Sequence, residues 1–152
     1  MGKVIYITGM SGTGKSTVLK ALASQGHRTI DTDYDDWTLH KEGRHLLDEA
    51  RLQNLLSSLS ADDVLFMCGT VENQGKFYAQ FHKVVLLSAP ADVIIERVQK
   101  RPNNPYGKTP AEQAEILDYL ETVEPLLRKG ADVEINTQAP LEEIVSRIIK
   151  WL

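Results

Sequence analysis

Gly9-Met10-Ser11-Gly12-Thr13-Gly14-Lys15-Ser16 reads G-x-x-x-x-G-K-S, the Walker A phosphate-loop pattern. The run before it, Val4-Ile5-Tyr6-Ile7-Thr8, is apolar and β-branched and reads as a buried strand. The run after it, Thr17-Val18-Leu19-Lys20-Ala21-Leu22-Ala23, reads as a helix. Strand, loop and helix in this order separate a working phosphate loop from a chance glycine-rich turn. Closely spaced glycines let backbone N–H groups converge on phosphate oxygens, and the helix start adds partial positive charge. Ser11, Gly12, Thr13, Gly14, Lys15, Ser16 and Thr17 are therefore the expected contacts to a nucleoside triphosphate. Lys15 would bring a mobile charge to the β- and γ-phosphates, and the Ser16 hydroxyl would bind Mg2+.

The chain around this loop has 152 residues, which suits one domain over 1–152. Hydrophobic residues make up 42%, enough for a sizeable core. A formal net charge of −4 argues against a general nucleic-acid binder, which needs a basic face. Cys68 is the only cysteine, so no internal disulfide or thiolate metal site is expected. His27, His40, His45 and His82 show no metal-ligand spacing. The first strand begins at residue 3 or 4, which leaves no room for a signal peptide, and no apolar run approaches a membrane span. The expectation is a cytoplasmic protein without a membrane partner, and nothing calls for more than a monomer.

Outward from the loop, strands and helices alternate, which implies an α/β fold with a parallel sheet. Strand 1 spans about Lys3 to Thr8, and helix 1 about Lys15 to Ser24, stopped by Gly26. Thr29–Asp31, Val64–Cys68, Val84–Leu87 and Val133–Ile135 read as four more strands. Leu46 to Leu59 reads as a helix with Leu47, Ala50, Leu55 and Leu59 on its apolar face. Pro90 opens a helix carrying Val93, Ile94 and Val98. Thr109-Pro110-Ala111-Glu112 is a capping box with proline at the first helical position. Ile116, Leu120, Val123 and Leu127 follow on one face, with a kink or break expected at Pro125. The last helix starts at Pro140 and carries Leu141, Ile144, Val145, Ile148 and Ile149 at helical spacing. The polar segments between these elements, 31–43, 69–82 and 101–109, are where chemistry is expected.

Asp31-Thr32-Asp33-Tyr34-Asp35-Asp36 places four carboxylates at the carboxyl end of strand 2, the edge where parallel α/β sheets bind ligands. Alternate residues of an extended segment share a face, so Asp31 and Asp33 can address one site. A carboxylate there would hold Mg2+, through water, or accept the proton of an attacking hydroxyl. Asp35 and Asp36 fit a solvated turn better. No later strand ends in an acid, so the usual Walker B carrier is missing, which argues against motor and helicase ATPases. An Asn-Lys-x-Asp segment, expected of guanine-specific switches, is also missing.

Arg97, Lys100, Arg101 and Lys108 fall within twelve residues, and no acid occurs from Val98 to Ala111. Asn103-Asn104-Pro105-Tyr106-Gly107 reads as a turn-rich mobile loop. A lid of about 101–109 would close over the nucleotide, exclude water and bring cations to the transferring phosphoryl group. A solvated helix end is the plainer reading of the same charges.

The ordered set resembles the shikimate kinase branch of the small phosphate-loop kinases, near the nucleoside monophosphate kinases. Asp31-Thr32-Asp33 resembles the family's Asp-x-Asp. Glu96-Arg97 with Arg101-Pro102 resembles its adenine-side arginine and lid arginine. Glu124-Pro125-Leu126-Leu127, Ala131-Asp132 and Ile135-Asn136-Thr137 resemble its C-terminal pattern. The resemblance implies a three-layer α/β/α phosphate-loop fold with a five-stranded parallel sheet. It implies Arg97 packing on adenine opposite Gln138 and Pro140, Arg101 reaching the phosphates, and Asp33 orienting the acceptor hydroxyl. Lys15, Asp33 and Arg101 are then the catalytic set, with Ser16 and Asp33 on the metal.

The departures from the family fall on the acceptor side. Its carboxylate-holding arginines are replaced by Val123 and, at about the corresponding place, Asp48; its triple glycine is reduced to Cys68-Gly69-Thr70. Shikimate is thus not the expected acceptor, and a polyol, a nucleoside or a cation fits better. Asp31, Asp33, Asp48, Arg51, Gly69, Thr70 and Asn73 are the candidates for the acceptor pocket. The leading expectation is an ATP-dependent kinase of a small hydroxyl acceptor. A nucleoside monophosphate kinase would need further arginines there, for which Arg44 and Arg51 are the candidates. A nucleotide-binding regulator without transferase activity is the alternative from another class.

Overall fold

Val4 and Tyr6 project to one side of the first strand and Ile5 and Ile7 to the other, and all four are buried. A strand buried on both faces needs a layer on each side. In the computed structural model, which describes residues 2–102 and 104–152, this strand is β1 (Lys3–Thr8). Then come α1 (Lys15–Ser24), β2 (Arg28–Asp31), β3 (Thr38–Lys41), β4 (Arg44–Leu47), α2 (Glu49–Ser58) and β5 (Val64–Cys68). A 3-10 helix (Gln74–Gln80) leads to β6 (Lys83–Ser88), α3 (Ala91–Lys100), α4 (Pro110–Thr122), α5 (Glu124–Gly130), β7 (Val133–Asn136) and α6 (Leu141–Ile149).

Five strands form one parallel sheet, as expected, and their order is β2-β5-β1-β6-β7. On one face, Val18, Leu19 and Leu22 of α1 and Ile144, Val145 and Ile148 of α6 pack on Ile5, Ile7, Phe66 and Val85. On the other, Leu52 and Leu56 of α2 join Phe77 and Phe81 over Val4, Tyr6, Leu65 and Met67. Leu127 of α5 packs with Leu86 of β6. α3 and α4 meet through Ile94, Val98 and Ile116. α4 and α5 part at Val123, the break that Pro125 predicts. Among the described residues no helix is long and apolar enough to cross a membrane.

Two expectations are corrected. The helix read over Leu46–Leu59 begins only at Glu49, because the Asp48 side chain accepts the Arg51 N–H at 3.1 Å and caps the start. Ahead of it β3 and β4 form an antiparallel ribbon that the sequence reading missed. Glu42 (φ 52) and Gly43 (φ 75) both take the left-handed backbone that a two-residue hairpin turn demands. His40 and His45 stack across this ribbon with ring centroids 4.6 Å apart. The buried helical leucines are Leu52 and Leu56, while Ala50 faces solvent. The second correction is the 69–82 segment, read as open chemistry-bearing chain, which folds into the 3-10 helix and buries Gln74 and Phe77.

Candidate active site

The phosphate loop leaves β1 at the carboxyl edge of the sheet, where ligands of open α/β sheets bind. α1 begins at Lys15 with Gly14 as its N-cap, so its first-turn N–H groups find no side-chain acceptor there. A cavity of about 630 Å3 opens there, and Ser11, Gly12, Gly14, Lys15, Ser16 and Thr17 line it. Asp33 and Tyr34 form part of its wall, as do Arg97, Arg101, Thr137, Ala139, Leu141 and Ile144. Thr13 is turned inward: its hydroxyl donates to the Met10 carbonyl at 2.7 Å, and it is not among the lining residues.

Lys15 lies folded on its own loop. Its Nζ donates to the Gly9 carbonyl at 2.6 Å and the Met10 carbonyl at 3.1 Å. Burial pushes its ammonium below the ordinary lysine range, while Cys68, Asp33 and Asp31 pull it back up. Ser16 Oγ donates to Asp31 Oδ2 at 3.2 Å, and Asp31 Oδ1 accepts the Asp33 N–H at 3.0 Å. The residue beside Ser16 is thus Asp31, not the Asp33 paired with it in the sequence reading. Asp33 is exposed at the cavity wall. A hydroxyl next to a carboxylate is an oxygen-only donor set, which suits a hard divalent cation. Among the described residues no cluster of three His, Cys, Asp or Glu offers a protein-only cage.

Arg97 is held by Thr137. Its Nη1 donates to Thr137 Oγ1 at 2.8 Å and its Nη2 to the Thr137 carbonyl at 2.8 Å. Nη1 also approaches the Gly12 carbonyl at 3.3 Å. Thr137 in turn donates to the Thr13 carbonyl at 2.7 Å. One buried threonine therefore ties the end of β7 to both the loop and the arginine. Arg101 Nη2 donates to Ser11 Oγ at 3.3 Å and to the Tyr106 carbonyl at 2.8 Å, and its buried Nε has no partner among the described residues. Burial lowers its guanidinium from the usual value, and Tyr106 opposes the shift.

The other two cations of the basic segment are spent elsewhere. Lys100 pairs with Glu96 at 2.6 Å. Lys108 Nζ donates to the carbonyls of Val98, Gln99 and Arg101 at 2.9, 2.7 and 2.8 Å, capping the end of α3. The segment before α4 is tied to that helix: Gly107 N–H reaches Glu112 Oε1 at 3.2 Å, and the Tyr106 hydroxyl meets Glu115. Asn104 and Pro105 line the cavity, while Asn103 lies outside the described residues.

Several sequence candidates take other places. Asp48 is the cap of α2. Arg51 lies over the Trp37 ring, 3.9 Å from its centroid, and donates to the Asp35 carbonyl. Asn73 spends its amide on both backbone groups of Leu47, at 2.7 and 3.0 Å, and on Glu49 at 2.8 Å. Gly69 packs against Thr32, and Thr70 bonds to Gly9 and Thr8. None of these five, nor Gln138 or Pro140, lines the cavity. Gln138 is exposed with its N–H on Asn136 Oδ1 at 2.9 Å. The neighbours Thr137, Ala139, Leu141 and Ile144 line it instead. The sequence reading took Leu141 and Ile144 only as core, yet Leu141 is 38% exposed at the start of α6.

This fold and this loop define a phosphate-loop nucleotide-binding domain. A family model described as an AAA domain matches residues 5–118. Shikimate kinase 2 of Yersinia enterocolitica is 31% identical over 170 aligned positions, covering 100% of this chain and 97% of that protein. The shikimate kinase of Acinetobacter baumannii, solved with shikimate, superposes with a TM-score of 0.69 at 25% identity, covering 97% of this chain and 91% of that one. A gluconokinase from Sinorhizobium meliloti superposes with a TM-score of 0.63 at 25% identity, covering 98% and 90%. The chain belongs to this family: it is a small phosphate-loop kinase of the shikimate kinase-like group, an ATP-dependent phosphotransferase acting on a small molecule.

Proposed function

We propose that the protein transfers the γ-phosphoryl group of Mg·ATP to a hydroxyl of a small polar acceptor other than shikimate. The observation that carries this reading is one cavity into which the uncapped start of α1, Lys15, Arg101 and Asp33 all converge. Loop N–H groups and Lys15 would bind the β- and γ-phosphates, and Arg101 would add charge at the same mouth. Asp33 would accept the acceptor's hydroxyl proton as the new O–P bond forms and ADP leaves. Ser16 and Asp31 would hold the metal, which when bound offsets phosphate charge. Arg97 would flank the base beside Ala139, Leu141 and Ile144.

The positions where the resemblance expects carboxylate-holding arginines carry other side chains, and the nearby arginines are engaged elsewhere. Val123 packs on the cluster of Met10, Leu86 and Leu127, and Asp48 caps a helix. Arg44 pairs with Glu72 at 3.3 Å, and Arg51 lies on Trp37. These engagements support a polyol, nucleoside or cationic acceptor, and they count equally against a second phosphate site for a nucleoside monophosphate. The gluconokinase likeness agrees with phosphoryl transfer to a hydroxyl of a small molecule.

ADP release measured against a panel of polyols, nucleosides, amino alcohols and shikimate tests this. Stimulation by one of the first three is expected, and strongest stimulation by shikimate would overturn the acceptor reading. Asp33→Asn should abolish the stimulated turnover and leave ATP affinity nearly intact. Tight ATP binding with no stimulation by any acceptor would point instead to a nucleotide-binding regulator.

A further inference from the structure

Gln74 lies outside the cavity, is 3% exposed, and uses its amide in four directions. A backbone donor fixes which way the amide points: the Val71 N–H meets Oε1 at 3.0 Å, so Oε1 must be the acceptor end. The Tyr6 hydroxyl donates to the same oxygen at 3.0 Å. Nε2 therefore donates to Thr8 Oγ1 at 2.9 Å and to the Tyr78 hydroxyl at 2.7 Å.

The next link is Thr8 Oγ1 to Thr70 Oγ1 at 3.3 Å. Thr70 gives its hydroxyl proton to the Gly9 carbonyl, which can only accept. Thr8 must then be the donor toward Thr70. The chain runs one way, from Gln74 to Thr8 to Thr70 to the Gly9 carbonyl. That carbonyl is also where Lys15 Nζ docks, at 2.6 Å. Gly9 has no side chain to steady its peptide plane, and none fits: an added Cβ would meet the Leu87 carbonyl oxygen at 2.5 Å and Thr13 Oγ1 at 2.7 Å. The plane is steadied from outside.

We propose that Gln74 is a positioning residue of the phosphate loop. Through Thr8 and Thr70 it orients the Gly9 carbonyl on which Lys15 docks, and so tunes affinity for the β- and γ-phosphates without touching the nucleotide. This rests on the reading of the loop as an ATP site. Core packing alone would give Gln74 a different signature, a loss of stability that leaves nucleotide discrimination unchanged.

Affinities for Mg·ATP and for AMP, which lacks the β- and γ-phosphates, are compared in the wild type, Thr70→Val, Thr70→Ser, Gln74→Met and the double variant Gln74→Met/Thr70→Val. Thr70→Val and Gln74→Met should each weaken ATP binding by roughly 3- to 10-fold, the worth of one hydrogen bond. AMP binding should stay within about twofold, and Thr70→Ser should match the wild type. The double variant should be no weaker than the weaker single variant by more than about twofold, because both cut one chain. If Gln74→Met does not fold, Thr8→Val combined with Thr70→Val closes the same cycle one link nearer the loop. Additive losses, parallel losses for ATP and AMP, or a fall in melting temperature with unchanged ATP affinity would overturn the proposal. A wild type that binds no ATP would instead overturn the ATP reading, and this proposal with it.

Discussion

Gly69 has no room for a side chain. A Cβ there would sit 2.0 Å from Thr32 Oγ1, and Thr32 is itself buried with its hydroxyl on the Cys68 carbonyl at 3.0 Å. Gly69→Ala is therefore expected to cost about 1–3 kcal/mol, the range for overpacking, read as a lower midpoint in urea. A second residue-scale outcome concerns Glu134. Arg128 Nε at 2.7 Å, and then Ser88, hold its carboxyl below the usual value of 4.5. A carboxyl with a depressed folded value stabilises above its unfolded value and loses that contribution as pH falls through the folded one. Glu134→Gln should thus lower stability at pH 7 and make little difference by about pH 2, checked by denaturation at both. The pair is half exposed, so the effect is modest. At this scale the loop from Gly9 to Ser16 was legible because phosphate binding needs residues adjacent in sequence. Asn73 was not, because its partner, the β4 backbone, is in place only once the ribbon has formed; the cap at Asp48 is local but was hidden by the apolar Leu46 and Leu47 before it.

α3 ends on a lysine from beyond the helix. Lys108 satisfies three carbonyls that no intrahelical N–H can reach, and it does so beside Arg101. Lys108→Met should destabilise the chain by about 1 kcal/mol and raise amide exchange over the last turn of α3. Unchanged exchange there would refute the capping role. The sequence showed the charge of Lys108 but not its destination, since a cation near a phosphate site and a cation on a helix end look alike in one dimension. Thr109-Pro110-Ala111-Glu112 was legible in full, because a capping box is a local contract among four residues, and both of its bonds are present. The β3–β4 ribbon was missed because Leu46 and Leu47 continue the apolar pattern of α2. The Glu42-Gly43 turn was the signal that breaks that pattern.

Across the whole molecule, the parallel sheet was foreseeable, while the order of its strands and the cavity were not. Strand–helix alternation implies a parallel sheet, but the meeting of Asp33, Arg101 and Leu141 requires three distant segments to close on one another. Binding at that junction should stabilise the entire fold. At 100 times the Kd, Mg·ATP is expected to add about 2.7 kcal/mol, or roughly 5–10 °C in melting temperature at this size. Lys15→Ala should remove most of the shift, and an equal shift in that variant would argue against phosphate anchoring by Lys15. β1 sits at the centre of the sheet, pairing with β5 from Lys3↔Val64 and with β6 from Ile5↔Lys83. Among the five strands of this sheet it is made first, yet it waits for β5 and then β6 before its two edges are covered. Until β5 has emerged, Val4-Ile5-Tyr6-Ile7 is a sticky ribbon with both edges bare, and until β6 follows one edge stays open, the kind of segment that chaperones hold and that nascent chains share when they aggregate. Yield on overexpression is thus governed by how quickly translation delivers the two flanking strands, and slowing it between residues 64 and 83 should shift product from the soluble to the aggregated fraction.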